Sequence, residues 1–402
     1  MVKGMMHPLL RLAAFQMLVL EMGCSPGDYI GDGSPGAVPA ITLDHVSTFD
    51  GHASLYGSVQ AVVADDSGQI YVSDTQYRGN QQIVVISPNG VLRRSIGRQG
   101  EGPGEFQALV GPTWVGQQIL AMDVRLRRFT FFEPSGRVAR TWAWDWPFVT
   151  SATPPLMSGG SSAYALVRAV NRQVQGQSDS QIDEYLIFRA DGTVEDAPRV
   201  SEPEMGPSSV VCLMPDGVSF QGGPLPYFDR GPLRAFLPND RLALAYRDTF
   251  RIDIVDIHTQ EVVKIIRRPY PRVSVSRDEW ESQPEIQFFR DLAREAGTEL
   301  RDRNTGGPCA SDDLRPDFLP ILRTIVSDDT GQLLVEATAA DGNGFTFTLY
   351  DSTGSLIGET RMPDRDPDVR PYFRGDRLYI GTIDSLGVQS IEVYEIRLPS
   401  LK

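Results

Sequence analysis

Arginine and tyrosine side chains carry the most usable chemistry in this chain. Tyr77, Arg78, Arg125, Arg168, Tyr246 and Arg247 stand at or just beyond the ends of β-forming runs. Guanidinium groups offer planar hydrogen-bond forks and phenols offer aromatic faces, a combination suited to a carboxylate-bearing peptide or a glycan. The same arginines have a plainer use as partners of carboxylates such as Asp123. Histidine chemistry is scarce: only His7, His45, His52 and His258 are present. No H-E-x-x-H, C-x-x-C or EF-hand loop occurs, and with so few histidines a Ser-His-Asp triad or a histidine-built metal centre is hard to assemble. Asp364, Asp366 and Asp368 alternate as calcium ligands do, but Pro367 and Val369 replace the flexible residues and glycine of a calcium loop, and a solvated linker is expected. Trp142, Trp144 and Trp146 also alternate. In a strand they would share one face, for packing or as a sugar platform.

The elements that must position these residues are short β-runs in repeating order. Ile70-Tyr-Val-Ser-Asp74 is echoed by Ile119-Leu-Ala-Met-Asp123, a step of 49 residues, which is the size of a four-stranded propeller blade. Strands ending in tight turns follow at Ile83 to Gly90, Phe129 to Gly136, Tyr185 to Gly192 and Phe345 to Gly354, each ending read as a β-hairpin. Arg251 to Gln260 supplies a fifth copy, and Leu378–Ile383 with Ser390–Ile396 begins a sixth. Between the first two copies lies Ile96-Gly-Arg-Gln-Gly-Glu-Gly-Pro-Gly-Glu-Phe106. Its spacing matches no phosphate-cradling loop, and it reads as a blade-to-blade crossing with Phe106 as wedge. The last copy lacks an outer strand. Residues 41–49, alternating apolar and polar without a hairpin partner, are expected to supply it and close the ring.

The Gly-rich crossing, the strand ends Ser73-Asp74 and Met122-Asp123, and Asp123 followed five residues on by Arg128 resemble NHL-type repeats of six-bladed β-propellers. A nearer likeness is to exported bacterial six-bladed propeller proteins with this crossing, a helical insertion after a run like Ile265-Ile-Arg-Arg268 and an ending like Asp384 to Tyr394. The resemblance spans about residues 41 to 398 and implies an all-β fold, a single six-bladed β-propeller with a helical insertion between blades 4 and 5 at residues 273–320. In the first blade Tyr77-Arg-Gly-Asn80 displaces the arginine expected after Asp74. Related six-bladed propellers include gluconolactonase-like enzymes, which implies an alternative: a hydrolase or lyase with a divalent cation in the central channel. No set of axial ligands can be assigned to it residue by residue.

Composition suits a soluble β-protein, with 38 glycines and 29 prolines for turns among 402 residues and 41% hydrophobic residues for a core. A formal net charge of −14 without a basic cluster repels phosphate backbones, so nucleic acid is not an expected partner. Residues 1–24 read as a signal peptide, with Leu12 to Leu20 too short to span a bilayer and Cys24 placed as a lipoprotein cysteine. Glu21 and Gln16 depart from that signal, so lipidation and a plain export signal both stay open. Residues 25–40 read as a flexible linker and 41–402 as the propeller. Export to the periplasm, or to the cell envelope as an anchored lipoprotein, follows, with the membrane reached only through that anchor. Cys212 and Cys309 are the pair an oxidising compartment could bridge, against two unpaired thiols. Ile286, Phe289, Ala293, Ala296 and Leu300 recur on one helix face, as for docking onto the parent domain or, alternatively, a partner. Turns between first and second and between third and fourth strands are short; the opposite face carries every long loop. A monomer that binds a protein, peptide or glycan at that loop-rich face through the six arginines and tyrosines is the expected function, without catalysis.

Overall fold

The computed structural model describes residues 38–50, 57–75, 79–143, 157–158, 165–166, 185–189, 191–197, 210–213, 219–222, 233–302, 307–309 and 315–398. Within them lie five antiparallel four-stranded sheets, four of them meanders. The first blade runs Val62–Ala64, Ile70–Thr75, Gln81–Ile86 and Leu92–Ile96, and the second Leu109–Val115, Gln118–Asp123, Arg128–Phe132 and Val138–Ala143. A third sheet comprises Leu233–Leu237, Arg241–Tyr246, Arg251–Asp256 and Val262–Arg267. A fourth comprises Leu322–Ser327, Leu333–Thr338, Phe345–Tyr350 and Leu356–Arg361. The closing blade joins Tyr372–Arg374, Arg377–Ile383 and Gln389–Arg397 to Thr42–Phe49 from the other end of the chain.

The architecture is a single all-β propeller, but complete blades among the described residues number five, not the expected six. The run beginning at Tyr185 does pair as a hairpin, Tyr185–Phe188 with Val194–Ala197. Among the described residues, Met157–Ser158 also pairs with Ala165–Leu166, and Val210–Leu213 pairs with Ser219–Gly222 and with Arg301–Asp302 in a separate three-stranded sheet. Polar and glycine-rich sequence around these ribbons, such as Ser158-Gly-Gly-Ser-Ser162 and Gln173 to Gln181, offers little apolar alternation to extend them.

Central strands are buried on both faces because each blade is sandwiched between two others. Ile70–Thr75 and Leu333–Thr338 are buried at every residue, whereas the outer strand Leu92–Ile96 is mostly exposed. The apolar clusters accordingly straddle blade boundaries. One joins Ile83, Ile96 and Phe106 to Leu109, Ile119 and Phe132 across the first and second blades. Others join the third to the fourth sheet, the fourth to the closing blade, and the closing blade to the first. Burial of this area holds the ring together.

The glycine-rich crossing is a fixed structure. Phe106 is fully buried and tilts against Phe132 at 5.9 Å between ring centres. Gly97 has φ +76°, and a Cβ there would lie 2.4 Å from the Phe106 ring, so both backbone conformation and space demand glycine. Arg128 donates through Nη1 to the carbonyl of Glu101 and through Nη2 to those of Gly102 and Glu105. The arginine of the repeat therefore clamps the crossing. In the first blade, Asp74 accepts from the amides of Asn80 and Gln82 instead.

Between the third and fourth sheets lie a short helix, Arg277–Glu281, and a longer one, Pro284–Ala296. Ser276 caps the first by accepting the Glu279 N–H at 3.1 Å, and Gly297 in the left-handed conformation ends the second. Trp280 and Ile286 pack with Val275 and Leu319, and Phe289 packs with Leu300 and Cys309. The expected apolar stripe is real at Ile286, Phe289 and Leu300, half-buried at Ala293, and exposed at Ala296.

Candidate functional site

The strand order assigns each loop to a face. Because strands alternate in direction, turns from inner to second strand and from third to outer strand share one face of the disc. Those turns close on their own carboxylates. Asp65 accepts from the N–H groups of Ser67 and Gln69 at 2.9 and 3.0 Å, and Asp328 from Thr330 and Gln332 at 3.0 and 2.8 Å. Asp351 does the same for Thr353 and Ser355, both at 2.8 Å. Such Asx-type turns satisfy their own polar groups and leave little to offer a ligand. The helical segment and the 361–371 loop lie on the other face.

Of the six nominated residues, Tyr77, Arg78 and Arg168 lie outside the described residues. Arg125 is exposed in the turn after Asp123, whose carboxylate accepts the N–H groups of Gln107, Arg125 and Leu126. Tyr246 ends the second strand of the third sheet and Arg247 opens the turn that follows, so all three described nominees lie on the elaborated face. Arg247 donates to the carbonyl of Arg323 at 3.1 Å, and its own carbonyl accepts from Ile321 and Leu322. It thus staples the third sheet to the fourth. The Arg251 guanidinium lies over the Tyr246 ring at 5.3 Å, held there by Asp253.

Asp366 is buried and accepts from the Asp368 N–H at 2.9 Å and the Gln389 amide at 2.6 Å. The alternating aspartates therefore shape a loop, and no group of three metal-ligating side chains converges among the described residues. Trp142 stacks on Phe129 at 5.5 Å; Trp144 and Trp146 lie outside the described residues. Cys309 is disulfide-bonded. The Cys212 strand pairs with Arg301–Asp302, and Arg301 bridges to Pro308, the neighbour of Cys309. Cys24 lies outside the described residues.

A cavity runs along the propeller axis. Val62, Pro112, Phe236, Val326 and Phe373, one from the inner strand of each four-stranded blade, line an open void of about 610 Å³. About 70 Å³ of it can hold the centres of water molecules. Its wall is apolar except for Thr113, Ser327, Tyr372 and Arg370. Burial pushes the Tyr372 hydroxyl up, out of its ordinary range; it contacts the Ala64 carbonyl at 3.2 Å.

Three arginines within ten residues are treated differently here. Arg365 is buried against Glu336, with its Nε and Nη2 at 2.7 and 2.6 Å from the two carboxylate oxygens. Burial pushes the Glu336 carboxyl up, but the Arg365 charge and hydrogen bonds outweigh it and hold the group below the usual carboxylate range. Arg374 pairs with Asp66 and Asp329 at the closed face. Arg370 has no carboxylate among the described residues. Its Nη2 donates to the carbonyls of Arg234 and Ile325, on the inner strands of the third and fourth sheets, at 2.9 and 2.6 Å. Burial without a counter-charge pulls its pKa down to about 10. None of the three described nominees, Arg125, Tyr246 and Arg247, lines this cavity. Arg370 follows no β-run and belongs to no motif, so periodicity offered no signal for it.

No protein-family profile matches the chain, and no curated protein does. Among solved structures, a member of the DUF4221 family from Bacteroides vulgatus is similar over 90% of this chain and 99% of its own, at 13% identity and a TM-score of 0.45. A Bacteroides fragilis protein whose name assigns it to export covers 91% and 97%, at 12% identity and 0.44. Virginiamycin B lyase from Staphylococcus aureus covers 90% of each chain, at 12% and 0.37.

Proposed function

We propose that this chain is an exported, monomeric binding propeller that holds a protein, peptide or glycan at its loop-bearing face without catalysis. The asymmetry of the two faces carries this reading. One face is made of carboxylate turns that satisfy their own amides, while the other bears the helical segment, the 361–371 loop and the exposed Arg125. Tyr77, Arg78, Arg168, Tyr246 and Arg247 complete the proposed contact set. Export rests on the charged start, the apolar Leu12 to Leu20 run and Met22-Gly-Cys24 of the sequence; Cys24 is the proposed lipidation site.

Six blades are part of the proposal. The Met157–Ser158 strand lies beside the inner strands of both the second blade and the third sheet, which supports the two ribbons as a sixth, abbreviated blade of the NHL-like kind. Pairing of Cys212 with Cys309 fits the oxidising compartment that export implies, and a Cys212–Cys309 peptide in an unreduced digest checks it. The alternative, a gluconolactonase-like hydrolase or lyase with a channel cation, makes an opposite prediction. Elemental analysis of the purified exported protein is expected to show no stoichiometric divalent metal, and lactone substrates are expected to stay unhydrolysed. One metal ion per chain with metal-dependent turnover would install the alternative.

A further inference from the structure

The axial cavity contains a charge without a partner. Arg365 and Arg374, close to Arg370 in the chain, each have a carboxylate within 3 Å, whereas Arg370, half-buried in the channel wall, has none among the described residues. Its Nη2 is used by two edge-strand carbonyls; Nε and Nη1 make no hydrogen bond. Guanidinium groups stay protonated in proteins, so burying one beside apolar side chains costs free energy that a bound anion recovers.

We propose that Arg370 anchors a small monocarboxylate with an apolar body inside the central channel. The anion supplies acceptors for the idle N–H groups, and Val62, Pro112, Phe236 and Phe373 accommodate the hydrocarbon part. Among the described residues Arg370 is the one charged group of a wall whose other polar side chains, Thr113, Ser327 and Tyr372, are neutral, which matches one negative charge. Phosphate, more highly charged and more strongly hydrated, would need further donors than this wall provides. The accessible space of about 70 Å³ is several times the roughly 10–15 Å³ one water needs, which limits the ligand to a few heavy atoms within the channel. This inference concerns the channel interior and stands or falls apart from binding at the loop face.

Isobutyrate and its neutral isostere isobutyramide are the probes, compared by saturation-transfer NMR on the intact exported protein. Saturable binding of isobutyrate is expected, with isobutyramide and Arg370→Met each weakened about tenfold or more. Ala61→Leu, which fills the cavity and leaves Arg370 in place, is expected to abolish the signal. Equal binding of acid and amide would overturn the proposal, as would a folded Arg370→Met protein that still binds isobutyrate, or inorganic phosphate binding where isobutyrate does not. Should Arg370→Met fail to fold, the acid–amide difference and its loss in Ala61→Leu decide the matter.

Discussion

Glu336 and Arg365 show what a buried pair does in this fold. Both lie inside the protein, with two short charge-assisted hydrogen bonds between them. Arg365 also donates to the carbonyls of Asp366 and Val369, so it organises the loop that carries Arg370. Removing one partner strands the other charge. Arg365→Met is therefore expected to destabilise the protein by about 3–5 kcal/mol in urea denaturation. The pH dependence has a definite sign. Glu336 has a folded pKa below its unfolded value of about 4.3, so its contribution is complete above that value and vanishes as pH falls through the folded pKa. Glu336→Gln should lose less stability than the wild type between about pH 5 and pH 3, and a parallel loss in both would contradict this. Neither partner announced itself in the sequence, because their pairing joins a strand residue to a loop 29 positions away.

At the scale of elements, local signals were legible and contacts between blades were not. Hairpin glycines, the Phe106 wedge and the Ser276 cap could each be read from neighbours in the chain. The clamp of Arg128 on the crossing carbonyls could not, nor could the use of Asn80 and Gln82 in place of a missing arginine. The sheet count failed where apolar alternation thins out, between Ala143 and Leu233. Ring closure rests on the Thr42–Phe49 strand, paired from Thr42 with Arg397 to Phe49 with Ile391. Just before it, Ile41 donates its N–H to the Glu359 carbonyl and Glu359 donates to that of Pro39. Gly358 permits this approach: a Cβ there would meet Ile41 Cγ1 and the Pro39 carbonyl, both at 2.7 Å. Gly358→Val should push the segment off the fourth sheet and expose edges of two blades. Deleting residues 38–49 should do so more severely. Lower melting temperatures and concentration-dependent aggregation are expected of both variants, and an unchanged melting curve for the deletion would show that the ring does not depend on this strand.

The whole molecule has a formal net charge of −14, and individual arginines serve the crossing, the loop face and the channel. Its two faces differ in kind, and that difference is the basis of the functional reading. Peptide and glycan arrays probed with the purified protein test it most directly, using two charge reversals as a pair. Arg125→Glu changes an exposed side chain on the loop-bearing face, and Arg137→Glu changes one on the turn face, where Arg137 meets only its neighbour Glu133. The account predicts a defined set of array ligands that Arg125→Glu weakens and Arg137→Glu leaves unchanged. Equal loss from both variants, or loss from Arg137→Glu alone, would contradict it.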